Sequence, residues 1–232
     1  MEGVTTISRL QEKVLHDGAC MDRLTASLTI HPTSMFRDPG LFATFRQKVV
    51  PLLRTYPSVR LWHAGCATGE EVYSMAIVLD EEGLYDRCRI YATDLCEAPL
   101  RSAEGGLFPL AAMREYTDNY LMAGGKRAFS EYYVADHRNA VFRASLRQNV
   151  VFARHDLASD ASFNEFNVIF CRNVLIYFNR ELQNHVHRLL FDSLGRLGIL
   201  ALGRKESLRF TPQAASYATL DEAERMYRKV RA

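Results

Sequence analysis

The stretch Leu61–Leu79, LWHAGCATGEEVYSMAIVL, constrains the fold more than any other part of the chain. An apolar run stops at Gly65. A second glycine follows at position 69, then two glutamates, then apolar residues at helical spacing. Glycine at the end of a strand lets the backbone turn sharply and lets a ligand approach with no Cβ in the way. The start of the next helix offers unpaired N–H groups. Strand, turn and helix in this order form a unit of an open α/β sheet, where ligands lie beyond the carboxyl ends of the strands.

The alternation continues along the chain. Strands are expected at Val59–Ala64, Arg89–Thr93, Asn167–Cys171 and Ile199–Gly203. Helices are expected at 4–16, Phe42–Leu53, Glu70–Glu82, from Pro99, over Pro109–Met122, and over Arg180–Leu197 with a stop at Gly198. Between them, FSEYYVADHRNAVFRASLRQNVVFARHDL is rich in aromatic and β-branched residues and broken by turn residues. It reads as three short antiparallel strands, an insert at about 128–154 in an otherwise parallel sheet. The expected organisation is a short helical segment over 1–30 and one α/β domain over 31–232.

Composition limits the function classes. Hydrophobic residues make up 48% of 232, enough for a real core. A net charge of +2 gives no argument for nucleic acid. No apolar run approaches the roughly 18 residues of a membrane span, and the first residues lack the apolar core of a signal peptide. The five cysteines are scattered and odd in number, which points to a reducing cytoplasm without a disulfide framework or a zinc site.

The ligand loop carries its own chemistry. A phosphate loop wants Lys followed by Ser or Thr, and GCATGEE has neither; two glutamates repel a pyrophosphate. A ligand presenting a cation fits better. Asp94 ends the second strand 25 residues after Gly69, where doubly wound folds place an acid on ribose hydroxyls. A ribose, a charged amino acid tail and no phosphate describe S-adenosylmethionine. The plainer readings are a tight turn at Gly65–Gly69 and a helix cap at Asp94.

The motifs SMFRDP, AGCATGEEVYS, ATD, FCRNVLIYF and LGRKESL occur in this order. With them the chain resembles the chemotaxis receptor methyltransferases, the CheR family, from about Thr33 to Lys229. The resemblance implies a class I methyltransferase Rossmann-like doubly wound sheet with a small antiparallel β-subdomain. It implies methyl transfer from S-adenosylmethionine, leaving S-adenosylhomocysteine, to glutamate side chains of the cytoplasmic helices of chemoreceptors. It also implies site roles. His31 stands where many relatives have Asn. Thr33 and Arg37 match a segment that closes over the cofactor. Gly65 and Ala67 lie in the ligand loop, Glu71 matches the acid that receives the cofactor's amino group, and Asp94, with Leu95 beside it, matches the acid on the ribose. Asp156 and Leu157 flank the adenine. Arg172 and Asn173 sit beside the methionine moiety, and Tyr177 works with Arg37 at the acceptor side.

Other assignments are plainer. Met35 and Phe36 read as packing residues; His63, His155, His185 and His187 read as structural or surface residues, with no metal spacing among them. Asn173 is also a candidate helix cap. Family members carry a larger helical N-terminal region, linked with receptor docking, than the 30 or so residues ahead of the FR motif here. The turn ADHRNA lacks the glycine of the relatives' peptide-binding loop, so no binding of a receptor tether peptide is expected. The competing functions are a non-catalytic module that binds S-adenosylmethionine and a methyltransferase for another acceptor.

Overall fold

The computed structural model describes residues 6–18, 20, 24 and 33–231. The strands are β1 (Val59–Ala64), β2 (Cys88–Asp94), β3 (Leu107–Pro109), β4 (Tyr133–Ala135), β5 (Asn139–Phe142), β6 (Val150–Arg154), β7 (Phe166–Cys171), β8 (Leu194–Leu202), β9 (Tyr217–Asp221) and β10 (Met226–Lys229). The helices are α1 (Ile7–His16), α2 (Pro39–Thr44), α3 (Val50–Leu53), α4 (Glu70–Glu81), α5 (Glu97–Gly105), α6 (Met113–Met122) and α7 (Arg180–Ser193). Seven strands form one sheet in the order β6-β2-β1-β7-β8-β10-β9. Its first five strands run parallel; β10 and β9 close it antiparallel.

The sheet has a core on each face because successive strand residues point to opposite sides. Leu61, Val168 and Phe170 pack on one side; Trp62, Ile169 and Cys171 pack on the other, against Val186 and Leu190 of α7. This explains the uninterrupted apolar runs of β1 and β7, which are buried on both faces. His63 and Arg172 break those runs at the strands' carboxyl ends, the end at which the site forms.

Three expectations need correction. The antiparallel insert is not contained in 128–154. Its sheet has the order β3-β5-β4, so one strand comes from Leu107–Pro109, while Val150–Arg154 pairs in parallel with β2 at the edge of the main sheet. Side-chain texture marks a strand but not the direction of its partner. The Pro109 edge position suits a residue that cannot donate to a ladder. Second, α7 ends at Ser193 rather than Leu197. Leu194 already pairs with Phe166, and at Gly198 a Cβ would lie 2.9 Å from the Gly195 carbonyl oxygen. Backbone packs there where a helical side chain would stand. Third, the expected helix over Phe42–Leu53 is widened by a π turn at Phe45–Val49, directly before Pro51, which has no N–H to give.

The β4–β5 turn needs no glycine: Asp136 Oδ1 accepts the N–H groups of Arg138 and Asn139, both at 2.7 Å. The small sheet is tied to the main domain by Glu81. Its fully buried carboxylate accepts the Tyr132 hydroxyl at 2.8 Å, the Lys126 N–H at 2.9 Å and the Tyr120 hydroxyl, and pairs with Arg46.

His187 on α7 is buried, and burial lowers its pKa from 6.5 to about 4. Between those values the unfolded chain binds the proton and the folded one does not, so stability falls as pH drops from 6.5 to 4. The full loss is about 3 kcal/mol. His187→Leu is expected to flatten that part of the curve in urea titrations at pH 7, 5.5 and 4.5.

Candidate functional site

The Gly65–Gly69 loop leaves β1 with Gly65, Ala67 and Gly69 all at positive φ, of 77°, 48° and 93°. Gly65 is needed twice over, since a Cβ there would run into the Val174 side chain. The N–H groups of Gly65 and Cys66 both donate to the Thr93 carbonyl, at 2.8 and 2.9 Å, which pins the loop against the end of β2. Asp94 completes the fastening. Its Oδ2 accepts the Ala67 N–H at 2.9 Å and its Oδ1 accepts the Cys96 N–H at 3.0 Å. Each oxygen keeps a further lone pair.

The two glutamates at the start of α4 divide. Glu70 turns inward, where burial raises its pKa against hydrogen bonds from Thr68 Oγ1 at 2.6 Å and the Tyr116 hydroxyl at 3.4 Å. Glu71 turns toward the strand ends. Burial works against its charge, but the Arg172 guanidinium at 2.6 Å and His63 Nδ1 at 2.9 Å outweigh it and bring its pKa to about 2. With Glu71 ionised, His63 donates from Nδ1. The imidazole is fixed by stacking on Phe170 at 4.7 Å.

Arg172, at the end of β7, is the hub. Its side chain is 2% exposed; Nη1 pairs with Glu71, and Nη2 pairs with Asp38 at 2.5 Å. Its Nε has no partner among the described residues. Asp38 in turn lies 3.5 Å from Arg204, which also pairs with Glu224 at 2.7 Å. Arg37 is therefore held between two anchors. On one side Asp38 is clamped by Arg172. On the other Phe36 is buried against Phe42 and Tyr120, and its N–H donates to Ser74 Oγ at 2.9 Å. Phe36 and Asp38 both have positive φ, so the backbone is turned sharply on each side of Arg37. Thr33 opens this segment and Arg37 is half-buried within it.

Asn173 sits at φ 60°, and the helix cap falls instead to Asn179, whose Oδ1 accepts the Leu182 N–H at 2.9 Å. Tyr177 closes a short turn, Leu175–Tyr177, and is 59% exposed. Asp156 follows β6; its carboxylate accepts the Ala158 N–H and the Ser159 hydroxyl, both at 2.9 Å, while Leu157 is buried. Leu95 is partly exposed beside Asp94. His31 lies outside the described residues.

Three segments therefore meet at the carboxyl ends of β1, β2 and β7: 33–38, 65–71 and 172–177. The sequence reading missed His63, placed among structural residues, and Asp38, given no role. The signal for His63 was a polar residue in an otherwise apolar strand end. Nothing local marked Asp38, which lies 134 residues from Arg172 in the chain.

A paired carboxylate beside an unsatisfied guanidinium N–H suits a zwitterionic amino acid: Glu71 for an ammonium, Arg172 Nε for a carboxylate. Known proteins agree with that chemistry. A family model described as the S-adenosylmethionine-binding domain of CheR methyltransferases matches residues 31–223. The chain is 50% identical to Cher3 of Pseudomonas putida over 224 residues, which cover 97% of this chain and 82% of that protein. It is 30% identical to a chemotaxis protein methyltransferase of Listeria innocua, covering 88% of this chain and 76% of that one. Over 227 residues it is 29% identical to chemotaxis protein methyltransferase 1 of Pseudomonas aeruginosa, covering 91% and 79%. The α/β fold and the family match define an S-adenosylmethionine-dependent methyltransferase. Within that class, the chain belongs to the CheR methyltransferase family. No helix of the described residues is long and apolar enough to cross a membrane.

Proposed function

We propose that this protein methylates glutamate side chains on the cytoplasmic helices of chemoreceptors, forming γ-glutamyl methyl esters. The observation that carries the reading is the double pairing of Arg172. It joins Glu71, at the ligand loop, to the segment bearing Arg37. A cofactor site and a residue suited to an anionic acceptor then share one strand end. A carboxylate acceptor is already ionised at neutral pH, so transfer needs no strong general base. It needs the acceptor oxygen, the methyl group and the sulfur in line, which is a task of positioning.

In this reading Glu71 and Arg172 hold the amino acid tail of S-adenosylmethionine, with Asn173 beside it. Gly65 and Ala67 let it approach the loop, Asp94 holds the ribose, and Leu95, Asp156 and Leu157 border the adenine. Thr33 and Arg37 cover the transferring end, and Arg37 and Tyr177 face the acceptor. The bound cofactor supplies the methyl group and the sulfonium that makes it transferable.

Asp94→Ala is expected to weaken cofactor binding by about 1–3 kcal/mol in titration calorimetry, because it removes an acceptor and leaves N–H groups unmatched. The function itself is tested by incubating the protein with a chemoreceptor cytoplasmic fragment and methyl-labelled S-adenosylmethionine, followed by mild base. Label released as methanol supports a carboxyl methyl ester. Absence of label from a protein that still binds the cofactor overturns the proposed acceptor and favours a cofactor-sensing module. We also propose that the glycine-free β4–β5 turn takes no receptor tether peptide; heat on titrating such a peptide would refute that.

A further inference from the structure

Glu206 is a buried carboxylate, 5% exposed, in a loop that the roles above leave unassigned. Its Oε2 accepts the N–H of Gly203 at 2.6 Å and of Asn173 at 3.0 Å. Its Oε1 accepts the N–H of Val174 and of Leu175, both at 2.8 Å. Converging backbone N–H groups of this kind make an anion-binding concavity. Here the chain fills it with its own side chain. Three of the four donors belong to the turn between Arg172 and Tyr177, whose N–H groups at 173–175 bond to Glu206 while the Tyr177 N–H closes the turn on the Val174 carbonyl at 3.2 Å. Asn173 has φ 60°, in the left-handed region that asparagine enters more readily than other non-glycine residues. The fit is tight: a Cβ on Gly203 would lie 2.7 Å from Glu206 Oε2 and 2.9 Å from the Asn173 nitrogen.

We propose that Glu206 is the positioning residue of the transfer site: its carboxylate sets the backbone of residues 173–175 and so aims Asn173 and Tyr177. Both of its oxygens are engaged by backbone N–H groups, and it acts through the turn. Because the nest is already filled, an incoming carboxylate is not captured there and keeps its free lone pairs. The inference rests on the reading above that places Asn173 beside the cofactor.

The test is calorimetric titration with S-adenosylhomocysteine, carried out well below the unfolding midpoint on wild type, Glu206→Gln and Asn173→Gly. Glutamine keeps the volume but presents an NH2 group to two of the four donors. A role confined to stability leaves the dissociation constant of fully folded protein unchanged. A positioning role weakens binding about tenfold or more, the scale expected when a contact group is displaced by a fraction of an ångström. Weakened binding in both variants supports the proposal. Weakened binding in Asn173→Gly alone overturns it and leaves the site assignment standing. Unchanged binding in both overturns the assignment and the proposal together. Should Glu206→Gln not fold, Glu206→Asp replaces it, since the shorter side chain withdraws the carboxylate from the four donors, and its titration is judged in the same way.

Discussion

Arg37→Ala is expected to abolish most methyl transfer, by about a hundredfold or more, while the affinity for S-adenosylhomocysteine stays within about tenfold. The reason is the way the segment is built. Its fixed points are Phe36, buried under Ser74 and the aromatic cluster, and Asp38, clamped by Arg172. Both anchors are made by the neighbouring residues, so the turns on either side of position 37 are expected to persist in the variant. In the proposed function, what is lost is a cation at the acceptor end. A charge held in position there attracts the reacting carboxylate and orients it, and that contribution has no substitute from solvent. Single-turnover transfer and calorimetry on the same protein separate the two quantities. Normal transfer in the variant would refute the assigned role.

Replacing Arg172 by Met is expected to destabilise the protein by about 3–5 kcal/mol, since Glu71 and Asp38 lose their common partner while both stay partly buried. The pH dependence gives the sharper signature. In the wild type Glu71 is held near pKa 2, so its stabilising contribution is complete above the ordinary carboxylate range near 4.5 and is lost as pH falls toward 2. Across that window the unfolded chain takes up a proton that the folded one refuses. Without Arg172 only His63 still opposes the burial of Glu71, so the loss of stability as pH falls from 4.5 toward 2 shrinks or changes sign. Urea unfolding at pH 7 and pH 3 reads both effects: a large gap between variant and wild type at the higher pH, and a smaller one at the lower.

The parts of this molecule that local sequence could show are those whose physics is local. β1, β2 and β7 lie within a residue of their expected bounds, because strands buried on both faces read as continuous apolar runs. The glycine loop was visible because a positive φ leaves a compositional mark. The β9–β10 hairpin was not. Its strands are short and mix polar with apolar residues, and the pairing of β10 with β8 and of β9 with β10 makes them strands. The direction of β6 and the end of α7 were hidden for the same reason, since partners distant in sequence decide both. The site divides along that line too. Glu71 and Asp94 stand at positions a doubly wound fold predicts, and the family motifs pointed to Arg37, Asn173 and Tyr177. The pairing of Arg172 with Asp38 and Glu71 spans 134 and 101 residues and left no trace in either stretch.

The Glu81 junction bears on how such a protein can vary. An insertion fastened to its host only by apolar contact can be exchanged for another of similar shape. This one shares a buried carboxylate with the host helix: the Tyr132 hydroxyl and the Lys126 N–H come from the inserted side, and Arg46 from the other. Excising the small sheet would leave the buried Glu81 carboxylate with Arg46 but without the Tyr132 and Lys126 hydrogen bonds, and grafting it elsewhere would leave its hydroxyls unanswered. The rim of that sheet is free to diversify in sequence. Its root is not: a change at Tyr132 or Glu81 has to be answered on the other side of the junction.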